Sequence, residues 1–421
     1  MSSAPNRKFL LLAGFATLAL CFLVGFFHRF APATFADAIS HSLGASEASL
    51  GAVFAWHFWV YTVAQIPAGM LVDRFGVRRC VFVGTLVTAA GSFVLAGAES
   101  LVSASLGPAL TGAGLSVVFV GIIKFNATWF RPENYGLITG FTMLLATSGA
   151  VLAGSPMAHL LEHYSWRLLF ALAAGIGVLL SLAVALIVRD RTPINRTDGA
   201  EKRLSIWQGL ITALRCREIW PLLLATVGTN GTFYAFAGLW GVPVLTETRN
   251  LPNTTAVLYT TTALIVYSLG CLGIGILSDR VGLRKPFLIA TSAMALLGWS
   301  VLAMFPWQAG WQAFALYALV GAAAAQVTVS FAALKESVPA AVAATSLAIL
   351  NAGVFAASAV LQPLFGLVVE TSLAWNWAIA LMTATSLVGL VAAFTAKETR
   401  CRPLPDQAVR TKLATSSMST G

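Results

Sequence analysis

The chain has 421 residues, of which 58% are hydrophobic and 10% carry a charged side chain. A typical soluble domain has about 25% charged residues, so this composition excludes an ordinary water-soluble globular protein and indicates a protein of the lipid bilayer. The formal charge is +10, but the basic residues lie in short clusters between apolar runs, which argues against a nucleic-acid-binding surface.

Apolar runs of about 20 residues, the length that crosses a bilayer as a helix, recur along the whole chain. The first run begins after Arg7 and Lys8 and is too long for a signal peptide, so we interpret it as a retained helix. Twelve runs are predicted, near residues 9–36, 48–70, 81–98, 103–127, 136–160, 167–188, 219–244, 256–277, 286–305, 310–333, 341–369 and 376–396. The sequence therefore predicts an all-α membrane protein with twelve transmembrane helices.

The longest polar stretch, residues 189–218, divides the twelve runs into six and six. We therefore expect an N-terminal half, 1–188, and a C-terminal half, 219–396, joined by this cytoplasmic linker. Within the linker, residues 204–214 have the amphipathic spacing of a helix that lies along a membrane surface. The polar tail, 397–421, is rich in Ser and Thr and is predicted to be disordered.

Most of the 26 Lys and Arg residues lie on one side of the predicted bundle, the side that also holds both termini. The loops of the other side contain only Arg167 and Arg249. Because loops rich in basic residues stay in the cytoplasm, we predict a multi-pass protein of the cytoplasmic (inner) membrane with both termini in the cytoplasm. We expect it to act as a monomer.

One eleven-residue pattern occurs twice. The first motif is "GMLVDRFGVRR", residues 69–79, and it returns 206 positions later as the second motif, "GILSDRVGLRK", residues 275–285. Each motif lies in the short link between the second and third helix of its half. This placement indicates that a six-helix unit is used twice, as parallel repeats.

The two motifs resemble the signature loop of the major facilitator superfamily, and the resemblance covers essentially the whole chain. The family pattern G-x-x-x-D-R-x-G-x-R-R/K is matched at Gly69, Asp73, Arg74, Gly76, Arg78 and Arg79, and again at Gly275, Asp279, Arg280, Gly282, Arg284 and Lys285. The resemblance implies two six-helix repeats around a central cavity. It also implies that the motif residues form a conformational latch, which holds the cytoplasmic side shut while the outer side is open.

Elementary physics suggests how such a latch would work. Gly69 and Gly275 are expected to let two helices approach closely. Asp73 and Asp279 are expected to lie against the positive N-terminal end of a neighbouring helix. The motif arginines are expected to pair with acids across the interface between the halves. The alternative is that the basic residues only set the orientation of the protein in the membrane.

Two basic residues, Arg29 and Lys124, fall inside apolar runs. A charge at the centre of a membrane helix costs about 2.5–3.5 kcal/mol on insertion scales, so each is a candidate functional residue. In the family that the chain resembles, the first and fourth helices line the cavity, which implies a positive field that selects an anionic group on the substrate. The alternative is that either side chain reaches the membrane surface and contacts headgroups.

Acidic residues are placed differently from the two buried cations. Those nearest the membrane interior are Asp37 and Glu370, each at the end of a predicted span. Cation antiporters usually need a buried carboxylate, so this pattern argues against efflux of cationic drugs. The fourth-helix antiporter pattern has an Arg four residues before a G-x-G, and Pro108 stands at that position here.

The remaining candidates are neutral or titratable polar residues in the spans. His57 is the candidate for proton coupling, because histidine titrates near neutral pH, and Tyr61 and Gln65 lie on the same helix face. The C-terminal half offers further substrate-binding candidates; each could instead form a hydrogen bond between helices. The full set of predicted substrate ligands is Arg29, Lys124, Tyr61, Asn230, Tyr234, Gln326 and Asn351.

The first helix resembles that of organophosphate/phosphate antiporters and of small-nutrient importers of intracellular bacteria, through "FFHRFAPATFADAI". The antiporters complete a phosphate clamp with an Arg on the seventh helix, where this chain has no basic residue. We therefore expect a secondary active transporter that imports a small organic anion or zwitterion, such as a carboxylate or amino acid, together with protons. The alternatives are an exporter of the same superfamily and a non-transporting membrane sensor. No catalytic, metal or cofactor-binding pattern is present, so we expect neither an enzyme nor a bound metal or cofactor.

Overall fold

The computed structural model describes residues 7–130, 135–190, 206–372 and 374–402, and within them the chain forms helices without strands. The helices of the first part are α1 (Arg7–Leu43), α2 (Glu47–Phe75), α3 (Val77–Ala96), α4 (Leu101–Trp129), α5 (Tyr135–Ala153), α6 (Ser155–Leu161) and α7 (Trp166–Ile187). The helices that follow are α8 (Ile206–Arg215), α9 (Ile219–Thr226), α10 (Thr232–Ala235), α11 (Pro243–Arg249), α12 (Asn253–Val281), α13 (Lys285–Met304), α14 (Trp311–Ala324), α15 (Gln326–Ser337), α16 (Ala340–Ser372) and α17 (Trp375–Thr395).

Three of the predicted spans are built from more than one helix. The fifth span consists of α5 and α6, and the tenth consists of α14 and α15. The seventh span is the most irregular, since two π-helical turns, Val227–Gly231 and Phe236–Trp240, flank α10. π-Helical turns inside membrane helices are rare and frequently lie at functional sites.

All twelve predicted apolar runs overlap helices, so the predicted sequence of spans is confirmed. In the described part of the chain, eleven helical segments are long and apolar enough to cross a membrane. The remaining predicted span, α2, is 29 residues long but carries the polar residues His57, Thr62 and Gln65. These side chains lower its hydropathy and lie inside the bundle, which explains why α2 is less apolar than its neighbours.

The amphipathic segment of the linker is also helical where it is described. Residues 204–214 were expected to form a surface helix, and α8 extends from Ile206 to Arg215 and packs against α16. The rest of the linker between residues 191 and 205, and the tail from residue 403 onward, lie outside the described residues.

The first six spans meet the last six mainly where α2 packs against α16, and also where α1 packs against the π-helical turn Phe236–Trp240 and α5 against α12. Near the start of α2, a Cβ at Gly51 would lie 2.7 Å from the backbone oxygen of Gln362, and a Cβ at Gly366 would lie 2.3 Å from that of Glu47. Only glycine permits backbones to approach this closely. We call the end of the bundle that carries the two motifs the motif end. The end that contains Gly51 and Gly366 is called the opposite end.

The motif end differs from the opposite end. Outside its own helix, no described heavy atom lies within 4 Å of the position that a Cβ at Gly69 would occupy. The expectation that Gly69 allows two helices to touch is therefore wrong for this conformation. Gly275 has a closer neighbour, since its Cβ would lie 3.1 Å from Cγ2 of Thr328, which belongs to α15 of the same set of six spans.

Candidate functional site

Arg29 lies at the centre of the bundle, where α1 passes between the two sets of spans. Its side chain is buried, with 5% of the residue exposed, and its guanidinium carbon lies over four aromatic rings. The distances to the ring centroids are 4.8 Å for Phe26, 5.2 Å for Tyr61, 5.7 Å for Tyr234 and 4.6 Å for Phe355. We call these four rings the aromatic cage.

The aromatic cage explains how an arginine is tolerated at this depth. Cation–π contacts are worth about 2 kcal/mol or more where the groups are removed from water, so several rings offset part of the cost of the buried charge. The rings come from α1, α2, α10 and α16, and thus from both sets of spans. The cage therefore depends on the way the two sets meet.

Unpaired hydrogen-bond donors surround the cage. The phenol of Tyr61 lies within side-chain hydrogen-bonding reach of Arg29, Gln65 and Asn351. Among the described residues, Nε of Arg29, Nε2 of Gln65 and Nδ2 of Asn351 have no hydrogen-bond partner. All three are donors, and a buried donor without a partner is costly. The site therefore suits a ligand rich in acceptor oxygens.

Arg29 is also without an acidic partner. None of the ion pairs formed by the described residues includes it. A buried cation is normally paired with an anion, so a carboxylate from outside the protein would complete the site.

Two tyrosines form the side of the site that belongs to the last six spans. The hydroxyl groups of Tyr234 and Tyr267 are 3.0 Å apart, and Tyr267 also interacts with the side chain of Asn230. The amide nitrogen of Asn230 donates to the backbone oxygen of Ala324 at 3.1 Å. Tyr234 thus contacts Arg29 directly, whereas Asn230 lies behind Tyr267 and holds α14 in place.

Lys124 does not accompany Arg29. Its Nζ donates to Oδ1 of Asp73 and to the backbone oxygen of Val72, both at 2.8 Å. The expectation that Lys124 is a cavity cation without an acidic mate is therefore wrong. The physical reason is that its long side chain reaches the C-terminal end of α2, where unpaired carbonyl groups and Asp73 attract a cation.

Gln326 also has a different role from the predicted one. It is fully buried, and its Oε1 accepts hydrogen bonds from Thr291 at 2.9 Å and Ser292 at 3.0 Å. Both partners lie on α13. Gln326 therefore joins α15 to α13, and we withdraw it from the predicted substrate ligands.

His57, the proton-coupling candidate, lies one helical turn from Tyr61 on α2. Its Nδ1 is 3.1 Å from Oγ1 of Thr111 on α4, and its ring stacks on that of Tyr61 with centroids 6.3 Å apart. Nε2 has no hydrogen-bond partner among the described residues. His57 and Tyr61 lie on one helix face, as predicted, and the structure adds that Tyr61 joins His57 to Arg29.

The first motif ends α2 and begins α3 at Gly76, whose φ of +85° is rarely adopted by other residues. Oδ1 of Asp190 accepts hydrogen bonds from the backbone N–H groups of Val77 at 2.7 Å and Arg78 at 3.1 Å. An acid does lie at a helix N-terminus here, but it is Asp190 and not Asp73. Asp73 pairs with Lys124 instead.

The second motif repeats this local arrangement around Gly282, which has a φ of +74°. Glu398 accepts hydrogen bonds from the N–H groups of Arg284 at 2.9 Å and Lys285 at 2.8 Å, at the start of α13. Partial burial disfavours the charged form of Glu398, but these backbone donors outweigh it and lower the pKa of its carboxyl below the ordinary value.

The motif arginines pair within their own set of spans. Arg284 forms ion pairs with Asp279 at 2.7 Å and with Glu336 of α15 at 2.8 Å. Arg78 donates to the backbone oxygen of Ala185 on α7. The expected pairing of these arginines across the interface is therefore absent from this conformation in the described residues.

Asp190, Glu398 and Glu336 were not among the predicted site residues. A signal for the first two exists, because a basic–acidic pair ends the sixth and the twelfth run, as Arg189–Asp190 and Lys397–Glu398. Their spacing of 208 residues is close to that of the motifs. No comparable repeat marks Glu336, since the corresponding part of the first half carries no acid at the end of α4.

Three similarities to known proteins are informative. A family model described as Major Facilitator Superfamily matches residues 10–257 and 222–417. The D-galactonate transporter of Escherichia coli O6:H1 is 28% identical over 182 residues, which are 42% of this chain and 40% of that protein. An MFS-type efflux pump of Mycolicibacterium smegmatis is 26% identical over 314 residues, 71% of this chain and 70% of the pump.

Alignments with three other curated relatives span only 33–37% of the length of those proteins. Among solved structures, a bacterial homolog of the human lysosomal transporter Spinster, in an inward-facing and unoccupied conformation, matches with a TM-score of 0.74. It is 17% identical, and the match covers 96% of this chain and 100% of that chain. At this identity the match establishes the shared fold.

Proposed function

Because the chain belongs to the major facilitator superfamily, we propose that it is a secondary active transporter of small organic anions that binds the substrate carboxylate at Arg29. The observation that carries this proposal is the buried guanidinium of Arg29, which has no ion-pair partner among the described residues. A guanidinium presents a planar fork of donors that matches a carboxylate. In a site of low dielectric this match is stronger than in water.

The charge of the site favours a monocarboxylate. Lys124 is paired with Asp73, so Arg29 is the cation that the described residues place within the aromatic cage. One guanidinium compensates one carboxylate, whereas the second carboxylate of a dianion would be buried without a partner at considerable cost. The substrate class is therefore an organic acid with a single negative charge.

The other groups of the site suit hydroxyl groups on such an acid. Gln65 and Asn351 offer amide donors, and Tyr234 and Tyr267 offer phenols that both donate and accept hydrogen bonds. The similarity to a D-galactonate transporter supports a sugar acid, since galactonate carries one carboxylate and several hydroxyl groups. We propose a hydroxylated monocarboxylate as the substrate.

Alternating access would expose Arg29 to each side of the membrane in turn. We propose that the motif end faces the cytoplasm, because its loops are rich in basic residues. The close contacts of Gly51 and Gly366 shut the opposite end, and the space beside Gly69 is consistent with an opening toward the cytoplasm. We propose import together with a proton as the direction of transport, with His57 as the residue that carries the proton.

Export is the second candidate direction, and the similarity to an efflux pump over 71% of this chain favours it. The same buried arginine would then load its anionic substrate from the cytoplasm. Uptake and release of a labelled acid by proteoliposomes under opposite pH gradients distinguish the two directions. Accumulation only when the outside is acidic supports symport.

The test of the binding site is a thermal-shift measurement on the purified full chain. D-Galactonate is the monocarboxylate probe, D-galactarate the dicarboxylate and D-galactose the neutral compound. We expect galactonate to stabilise the protein most, because a ligand that binds the folded state stabilises it by about 2.7 kcal/mol at a hundredfold excess over its Kd.

The decisive variant is Arg29→Gln, which should abolish the shift caused by galactonate. The matched control is Arg249→Gln, because Arg249 also lies over an aromatic ring, that of Trp307 at 4.3 Å, but is exposed at the opposite end. The control should keep the full shift. Equal shifts in the Arg29 variant and the wild type would refute the assignment of Arg29.

A further inference from the structure

A small cavity lies beside Arg29, between α1, α2 and α16. Its volume is about 20 Å³, and its lining includes Arg29, His57 and Gln362. A polar cavity of this size has room for one water molecule. Since Gln362 also contacts Gly51, the cavity lies on the side of Arg29 that faces the opposite end.

Each of these three residues has one buried polar atom without a hydrogen-bond partner in the described part of the chain. The atoms are Nε of Arg29, Nε2 of His57 and Oε1 of Gln362. The exposed fractions of the three residues are 5%, 4% and 1%. Buried polar atoms that remain unpaired usually bind an ordered water.

The hydrogen bonds of Thr111 determine which nitrogen of His57 carries the proton. The hydroxyl of Thr111 donates its single hydrogen to the backbone oxygen of Pro108 at 2.9 Å. Its oxygen is therefore the acceptor for Nδ1 of His57, 3.1 Å away. Nδ1 then holds the hydrogen of the neutral ring, and Nε2 presents a bare lone pair.

The three unpaired atoms are complementary to one water molecule. Nε of Arg29 is a donor, and the water oxygen can accept its hydrogen. Nε2 of His57 and Oε1 of Gln362 are acceptors, and a water molecule has two hydrogens to donate. One water would thus satisfy all three atoms, each through one hydrogen bond.

The charged and titratable groups that face His57 come from two helices. Arg29 and His28 lie on α1, and Tyr61 lies on α2 itself. From α4 and α16, the groups that meet it are the neutral side chains of Thr111 and Gln362. In the described part of the chain no carboxylate forms an ion pair with His57.

His28 lines the same cavity but differs from His57 in its surroundings. Its Nδ1 lies 2.8 Å from the backbone oxygen of Val24 one turn earlier on α1, and its ring packs against Phe27 and Phe170. Its Nε2 is also without a hydrogen-bond partner among the described residues. The rings beside it belong to the first six spans, whereas His57 stacks on Tyr61, which touches Arg29.

We propose that the cavity holds a single water molecule that links Arg29, His57 and Gln362, and that His57 is a proton site coupled through it to the carboxylate at Arg29. A proton from solvent binds the lone pair of Nε2 and turns the neutral imidazole into an imidazolium. This second cation beside Arg29 is unfavourable at low dielectric until an anion arrives. Proton and carboxylate therefore bind cooperatively, and each strengthens the other by the same factor.

This inference rests on the proposed role of Arg29, but its first test needs no substrate. A high-resolution experimental structure of the full chain in this conformation should show one water within hydrogen-bonding distance of Nε of Arg29, Nε2 of His57 and Oε1 of Gln362. A dry cavity would overturn the proposal. This outcome is separate from any result of the galactonate experiment.

The second test measures the Kd of D-galactonate between pH 8 and pH 6 in detergent. For the wild type, binding should tighten by up to about tenfold per pH unit, the slope for uptake of one proton. His57→Gln, which keeps hydrogen-bonding groups but cannot take up the proton, should bind with a Kd that does not vary with pH. His28→Gln removes the other histidine that lines the cavity; it should keep the slope of the wild type and serves as the control for the choice of His57. A slope that survives in the His57 variant, or is lost in the control, would contradict the proposal.

Discussion

The two motifs have nearly the same sequence, yet their charged residues end in different surroundings. In the first motif, Asp73 pairs with Lys124 of α4, and 78% and 33% of the two side chains are exposed. In the second motif, Asp279 pairs with Arg284, which is almost fully buried and also pairs with Glu336 of α15. Each motif therefore determines its own turn and helix start, whereas the helix that packs beside it determines the ion pairs.

The turn and the helix start are alike in the two motifs because both depend on the conformation of the backbone. A glycine with positive φ turns the chain, and the next helix begins with unpaired N–H groups. Asp190 meets these groups in the first half and Glu398 in the second. The ion pairs of the two motifs differ because α4 supplies Lys124 beside the first motif, whereas α15 supplies Glu336 beside the second.

This difference suggests different roles in the transport cycle. An exposed pair such as Asp73–Lys124 contributes about 0–1 kcal/mol and separates easily. The network of Arg284 is largely removed from water and would be costly to break. We therefore expect the first motif to exchange partners during the cycle and the second motif to stay rigid.

The largest effect on stability is expected for Glu336→Gln. Arg284 would keep only the exposed Asp279 as an ionic partner, and the loss of a charged hydrogen-bond acceptor should lower the free energy of unfolding by about 2 kcal/mol. Thermal unfolding of the purified protein measures the loss. Glu162→Gln is the control, because Glu162 makes only a 4.0 Å contact with His159 and is half exposed. Equal unfolding midpoints in the two variants would show that the pair of Glu336 with Arg284 stabilises the protein no more than the exposed contact of Glu162 does.

An intermediate effect is expected for the two acids at the helix starts. Asp190→Asn and Glu398→Gln should each lower the free energy of unfolding by about 0.5–1 kcal/mol, because each weakens the interaction with backbone N–H groups. The lowered pKa of Glu398 also predicts the direction in which stability changes with pH. Its stabilising contribution is complete above the ordinary pKa of a glutamate and is lost as the pH falls through the lower, folded-state value.

The pH dependence of stability tests the role of Glu398 more directly than the free energy of unfolding at a single pH. Stability should fall between about pH 5 and pH 3 in the wild type, and less steeply in Glu398→Gln over the same range. The Asp190 variant serves as the comparison at the other motif. If the wild type and the Glu398 variant lose stability in parallel, the backbone contacts of Glu398 do not matter to folding.

The smallest effect on stability is expected for Asp73→Asn and Lys124→Gln, at most about 1 kcal/mol each, since the pair is exposed. Transport should respond more strongly than folding. If Asp73 exchanges partners during the cycle, its amide variant should slow turnover several-fold while galactonate binding at equilibrium stays unchanged. Normal turnover in reconstituted vesicles would show that transport does not require Asp73 to exchange partners.

The positions of the membrane spans along the chain were predictable because they depend on the local amino-acid composition. Runs of apolar residues near the length of a bilayer predicted all twelve spans, and the recurrence of the motifs predicted the family. The predicted family is confirmed by the family model that matches residues 10–257 and 222–417. The irregular seventh span was not predicted, because π-helical turns leave no mark on the hydropathy of a segment.

The membrane environment of this protein, the order of its helices and the position of Arg29 within an apolar run could be predicted from the amino-acid sequence. These follow from the apolar character of consecutive residues, which needs no knowledge of neighbours. The four rings over Arg29 and the pairing of Lys124 with Asp73 depend on helix packing and became visible in the folded structure. A long cationic side chain goes to the anion within its reach, and which anion that is depends on how the helices pack.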